Sequence, residues 1–272
     1  MSIKKSDYVL KEKEKEEFFR LSFQHQVWQE ETAEVCKRAG FGLGQTLLDL
    51  GCGPGFLSLD FSKLVGEKGR VIAVDRSKAF ISHLKMKTAS EEYRNIEPHL
   101  ADVKNLELPP GSVDGAIARW LLMFIDNPDN VIHGVAKTLK PSGIFAAMEY
   151  FQFRSMSLWP FSEAFQKVYR AVYELIKSYG GDADVGGRMP ELLNKHGFKM
   201  LDMYPIFRIG KTGSQLWSWL EMTGKNHDNV VQAGLITREE LQEYYRDWED
   251  ISSNPNAFFT APPILVTIAK KM

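Results

Sequence analysis

Thr46-Leu47-Leu48-Asp49-Leu50-Gly51-Cys52-Gly53-Pro54-Gly55 is the stretch on which the fold turns. An apolar run gives way to alternating glycines, and a new apolar pattern starts at Phe56. That order reads as a buried strand, a tight turn and a helix. Glycines at such a turn let the backbone come close to a ligand held at the helix N-terminus. The next apolar run, Arg70-Val71-Ile72-Ala73-Val74-Asp75, ends in an acid about 20 residues further on, where a ribose-binding carboxylate belongs. Together the two strands describe a nucleoside-cofactor site of the Rossmann kind.

Two cofactors compete for it. A dinucleotide needs a third glycine where Phe56 stands, and it would bring a pyrophosphate towards the Asp49 carboxylate. S-adenosylmethionine has no phosphate and carries an ammonium and a sulfonium, so an acid at Asp49 suits it. The acid, the three alternating glycines and the acid ending the second strand, in that order, select S-adenosylmethionine.

On these residues the chain resembles the class I S-adenosylmethionine-dependent methyltransferases, in particular the small-molecule branch related to the ubiquinone/menaquinone-biosynthesis C-methyltransferases. The resemblance is specific from about Gln24 to about Gly143 and looser beyond. It implies that Asp49, Gly51, Gly53 and Gly55, with Cys52 between them, wrap the methionine part of the cofactor. Asp75 then binds the ribose hydroxyls, Arg76 lies beside the adenine, and Asp102 with Val103 holds the adenine amino group. The strand Val113–Arg119 delivers backbone beneath the sulfonium, which adds Arg119 to the site. Arg20 and Gln24 match an arginine and a glutamine that related enzymes carry before the first strand. A forked pairing of Arg20 with the cofactor carboxylate is expected, against an exposed helix arginine as the bland alternative. Lys140-Pro141-Ser142-Gly143 matches the turn into the fifth strand, with Ser142 departing from the family's glycine pair.

The implied architecture is α/β, a doubly wound, seven-stranded, mostly parallel Rossmann-like sheet whose last strand is antiparallel, with a helical cap. Strands are expected near 46–50, 70–74, 96–100, 113–118, 143–149, 200–206 and 264–269. Residues 1–45 would form N-terminal helices over the cofactor site, and 46–150 the S-adenosylmethionine-binding core. A helical cap insertion would occupy 151–187, and 188–272 would complete the sheet with a second cap segment. The apolar spacing of Phe161, Phe165, Val168, Val172, Leu175 and Ile176 marks one face of a long helix over 159–179. Asn127-Pro128 reads as a helix start, and Thr237 with Glu240 as a capping box.

Composition narrows the partners. The 272 residues are 44% hydrophobic with a formal net charge of -1, which offers no electrostatic footprint for a nucleic acid. The alternating run from Lys11 to Glu17 reads as a solvated helix face. Two cysteines, Cys36 and Cys52, stand without metal spacing or a preceding secretory signal, so reduced thiols and a soluble, cytoplasmic protein are expected, with no metal and no membrane partner.

Methyl transfer is an in-line displacement with a neutral leaving group, so positioning and exclusion of water are the main tasks. A general base is needed only if the acceptor must lose a proton. Tyr150, Glu149 and His25 are the candidates, each with a structural alternative as a pocket-wall or helix-packing residue. His133, His196 and His227 carry no motif and are assigned structural roles. Phe151 and Phe153 follow the fifth strand and point to an aromatic-walled pocket for a planar or lipophilic acceptor. The expected function is methyl transfer to a small organic acceptor, with the atom methylated left open. Protein or RNA methylation, or a non-catalytic S-adenosylmethionine-binding regulator, remain the alternatives.

Overall fold

The structure, a computed structural model, describes residues 14–89, 93–224 and 227–272. The Lys11–Lys13 part of the alternating charge run lies outside them. Helices α1 (Glu14–Val27) and α2 (Gln29–Arg38) precede β1 (Thr46–Leu50), α3 (Phe56–Val65), β2 (Arg70–Asp75), α4 (Lys78–Thr88) and β3 (Ile96–Leu100). Next come β4 (Val113–Arg119), α5 (Pro128–Thr138) and β5 (Leu139–Tyr150). The second half carries β6 (Ser157–Trp159), α6 (Glu163–Ser178), α7 (Met189–Lys195), β7 (Phe198–Ile206) and β8 (Ile209–Lys211). It ends with α8 (Gln215–Gly224), α9 (Asp228–Gln232), α10 (Arg238–Ser252), β9 (Phe258–Thr260) and β10 (Ile264–Lys271).

The main sheet has seven strands in the order β3-β2-β1-β4-β5-β10-β7. β3 to β5 run parallel, and β10 is antiparallel to both β5 and β7. Leu47, Leu48, Val71, Val74 and Ile117 are buried, as strands covered on both faces require. Chain order reverses between β1 and β4. At such a switch point the two connections leave in opposite directions and open a crevice at the carboxyl ends of the strands. The glycine turn after β1 therefore faces Arg119 and Trp120 at the end of β4.

Two local expectations are corrected, and one element is new. The turn expected at Lys140–Gly143 is an irregularity within β5: pairing jumps from Val113–Leu139 to Gly115–Ile144, and Ser142 takes φ +66. Glycine adopts that conformation at less cost, which is why the family's pattern has glycine there. Phe161 is not part of the long helix, because Ser162 caps α6 by accepting from Phe165 N at 2.9 Å. Phe161 is left 62% exposed. Finally, β6, β9 and β8 form a separate antiparallel sheet that the sequence did not announce. Its strands are three residues each, too short to show periodicity. The Thr237–Glu240 capping box is present, whereas Asn127 occupies the N-cap position of α5 without a side-chain cap bond. No helix among the described residues is long and apolar enough to cross a membrane.

Candidate functional site

A cavity of about 270 Å³ opens at the switch point, between the strand ends, α1, α6 and α8. Arg20, Gln24, His25, Asp49, Gly51, Cys52, Gly53, Asp75, Arg76, Asp102, Val103, Arg119 and Tyr150 all line it. Gly55 and Glu149, also singled out in the sequence, are not among the lining residues.

The turn after β1 holds three left-handed residues, Gly51, Gly53 and Gly55, with φ of +64, +55 and +89. A Cβ on Gly51 would stand 2.5 Å from Leu121 Cδ1, so that glycine lets the loop after β4 approach. A Cβ on Gly53 would meet nothing nearer than Leu21 Cδ1 at 4.0 Å. Gly53 thus faces open cavity. Gly53→Val is expected to cost about 1–2 kcal/mol of stability through backbone strain and to lower S-adenosylhomocysteine affinity more than about tenfold by filling that space. Thermal unfolding and calorimetry read the two effects separately. Unchanged affinity in a folded variant would show that no ligand sits against Gly53.

Asp75 closes β2 and fastens the turn. Its Oδ2 accepts from Gly53 N at 2.9 Å and its Oδ1 from Ser77 N at 2.7 Å. Burial raises its pKa, partly offset by those N–H groups. Asp49 accepts from the Ser58 hydroxyl at 2.6 Å, and burial pushes it up to about 6. Asp102 accepts from Lys104 N at 2.9 Å, while Arg76 is exposed at the rim.

On α1, Arg20 Nε and Nη2 donate to the Glu17 carboxylate at 2.7 Å each, and Nη1 donates to Gln24 Oε1 at 2.9 Å. The guanidinium fork expected to meet a cofactor carboxylate is turned onto Glu17. Glu17, read in the sequence as the end of a solvated charged face, is instead 5% exposed and lines the cavity, and its i,i+3 spacing from Arg20 was the usable signal. Gln24 Oε1 also accepts from Trp219 Nε1 at 3.3 Å, tying α1 to α8.

The three base candidates fare differently. His25 Nδ1 faces Arg119 Nη2 at 3.2 Å, and Nε2 faces Asp60 Oδ2 at 3.1 Å. Arg119 can only donate, so Nδ1 accepts and Nε2–H is given to Asp60. Both ring nitrogens are committed, which removes His25 as an acceptor of a substrate proton. Glu149 is fully buried, and its Oε1 accepts from Leu121 N and Leu122 N at 2.9 Å each. It secures the loop after β4 from behind the cavity wall, and burial pushes it up to about 7. Tyr150 does line the cavity, but burial raises its phenol well above the usual range, so it keeps its proton.

The far wall comes from Phe153, from α6 (Tyr169, Val172, Ile176) and from α8 (Trp219, Leu220, Thr223). Phe153 is where the sequence put it, whereas Phe151 is not part of the lining. His227, assigned a structural role on the sequence, also belongs to this wall.

The profile of the methyltransferase domain family matches residues 43–196. The ubiquinone/menaquinone biosynthesis C-methyltransferase UbiE of Escherichia coli is 28% identical over 202 residues, covering 67% of this chain and 76% of that protein. An uncharacterized 37.1 kDa protein in transposon TN4556 of Streptomyces fradiae is 26% identical over 231 residues, covering 84% of this chain and 63% of that protein. The chain thus spans less than two thirds of the length of that relative. Among solved structures, the geranyl diphosphate C-methyltransferase of Streptomyces coelicolor superposes with a TM-score of 0.59 at 12% identity, over 93% of this chain and 84% of that one. It was solved with S-adenosyl-L-homocysteine, Mg2+ and geranyl diphosphate bound.

Proposed function

This chain belongs to the methyltransferase domain family and uses S-adenosylmethionine as its cofactor, and we propose that its methyl acceptor is a small organic molecule. The observation that carries this reading is the division of one cavity into two walls. Among the described lining residues, every Asp, Glu, Lys and Arg comes from α1 or from the ends of β1 to β4, and the wall from Tyr150 onward carries none. The two walls face each other across one cavity of about 270 Å³, a concave site rather than a flat surface.

The charged wall fits the cofactor. Gly53 presents bare backbone to the cavity, and Asp75 stands at the end of β2 with both oxygens fixed by backbone N–H groups. Asp75 takes the ribose hydroxyls, Asp102 and Val103 the adenine amino group, and Arg76 lies beside the adenine ring. Gly51, Cys52, Gly53 and Asp49 surround the methionine part, with Arg20, Gln24 and Arg119 closing that end. The bound cofactor supplies a methyl group on a sulfonium, whose departure leaves a neutral thioether. The protein orients the acceptor against the strand ends, and the aromatic wall keeps water out. With His25 committed to Asp60 and Arg119, Glu149 behind the wall and Tyr150 holding its proton, none of these three candidates supplies a base at the reacting atoms. Acceptors that are already nucleophilic, or that ionise readily, suit it best.

The protein, incubated with S-adenosylmethionine and a panel of phenols, quinols, thiols and amines, is expected to release S-adenosylhomocysteine with at least one of them. Bulk RNA and unrelated folded proteins are expected to give none. Turnover with RNA or protein alone would overturn the small-acceptor reading, and tighter calorimetric binding of NAD than of S-adenosylhomocysteine would overturn the cofactor placement.

A further inference from the structure

One side chain of the acceptor wall has both of its polar atoms unpartnered among the described residues and unused by the placement of the cofactor. His227 precedes α9, is 4% exposed, and has no hydrogen-bond partner at Nδ1 or Nε2 among the described residues. Its ring packs edge-on against Tyr169 and Tyr244, with centroids 5.5 and 5.7 Å away. The same wall carries Tyr169, Val172, Ile176, Leu220 and Thr223. An unpaired imidazole in such surroundings is costly, because buried polar groups normally find partners. A ligand in the cavity would satisfy it.

We propose that His227 is the acceptor-recognition residue, hydrogen-bonding an uncharged oxygen function, a hydroxyl or carbonyl, on an otherwise apolar, planar acceptor. This rests on the reading of the cavity as a methyl-acceptor site and adds the chemical class of that acceptor. Burial holds the imidazole down to about 4, so it is neutral at pH 7. One ring nitrogen then donates and the other accepts, which serves a hydroxyl or a carbonyl. A neutral ring offers no cation to a phosphate or carboxylate, and the described residues of this wall contain no Lys or Arg to do so. Among the described residues of this wall, a charged head group would find no counter-ion. The flat faces of Tyr150, Phe153 and Trp219, on the same wall, suit a planar body.

Three probes of nearly equal shape test this on the full chain saturated with S-adenosylhomocysteine: 2-naphthol, 2-methylnaphthalene and 2-naphthyl phosphate, each titrated by calorimetry. The naphthol is expected to bind about tenfold more tightly than the methyl compound, the scale of one buried hydrogen bond, and the phosphate not measurably. His227→Phe is expected to erase the preference for the naphthol while leaving S-adenosylhomocysteine affinity within about twofold. His227→Gln, which keeps a donor and an acceptor, should restore part of it. Equal affinities in the wild type, a preference that survives His227→Phe, tightest binding of the phosphate, or no binding of any probe would each overturn the inference. If His227→Phe does not fold, the wild-type ranking decides alone. A protein that fails to bind S-adenosylhomocysteine overturns the cofactor placement as well, whereas normal cofactor binding with a different ranking overturns only the role of His227.

Discussion

Asp75→Ala is expected to bind S-adenosylhomocysteine about a hundredfold more weakly than the wild type, a loss of about 3 kcal/mol. Two effects add. In the proposed placement the ribose hydroxyls lose a carboxylate acceptor, and hydrogen bonds to charged groups are worth about 1.5–3 kcal/mol. The same carboxylate accepts from Gly53 N and Ser77 N, so its removal also loosens the turn that faces the cavity. Asp75→Asn keeps a carbonyl acceptor but loses the charge, and should fall between the two. Calorimetry on variants with wild-type thermal unfolding checks the order. Wild-type affinity in a folded Asp75→Ala protein would remove Asp75 from the site.

The second large effect concerns stability rather than binding. Glu149→Ala should destabilise the fold by about 3 kcal/mol, because it leaves Leu121 N and Leu122 N, both now bonded to Oε1, without an acceptor. Glu149→Gln should behave differently, since its amide oxygen keeps those bonds. Burial raises the Glu149 pKa from an ordinary 4.5 to about 7, so between these values the folded state binds more protons than the unfolded one. Stability contributed by this group is fully present below pH 4.5 and is lost as pH rises through 7. The loss reaches about 3 kcal/mol, at about 1.4 kcal/mol per pH unit. Glu149→Gln removes that dependence and should gain on the wild type from pH 4.5 to about 7 and level off above it in denaturant titrations. Parallel pH curves for the two proteins would contradict the raised pKa. Asp49, pushed up to about 6, has the same sign, and comparing the two proteins cancels its contribution.

Much of the charged wall of the cavity was legible because its residues are local. Asp49, Gly51 and Gly53 sit within one strand and one turn, and Asp75 ends the next buried run, so type and spacing alone placed them. Parallel strands such as Thr46–Leu50 read clearly because both faces are buried and the run is uninterrupted. Other features depend on partners distant in sequence. Nothing near Glu149 announces that it holds the backbone of Leu121 and Leu122, 28 and 27 residues earlier. Ser157 pairs with Thr260 across 103 residues, which no periodicity in a three-residue strand can foretell. His25 looked available until Asp60 and Arg119 were found on its two nitrogens. His227 was the reverse, a histidine without a motif whose burial and lack of a partner among the described residues exist only in three dimensions.

The two walls are also inherited through different parts of the chain. The charged side chains belong to α1 and to the ends of strands whose pairing holds the sheet together, so change there risks the fold. Much of the neutral wall hangs on α6 and α8, carried by the connections between β6 and β7 and between β8 and β9. In the proposed reading, substitutions at Val172, Ile176, Leu220 or Thr223 alter the acceptor without disturbing a strand pair or the cofactor. A duplicated copy of such a gene can drift towards a new substrate through two helices alone, so close relatives of this chain need not share an acceptor even where their glycine turns are identical.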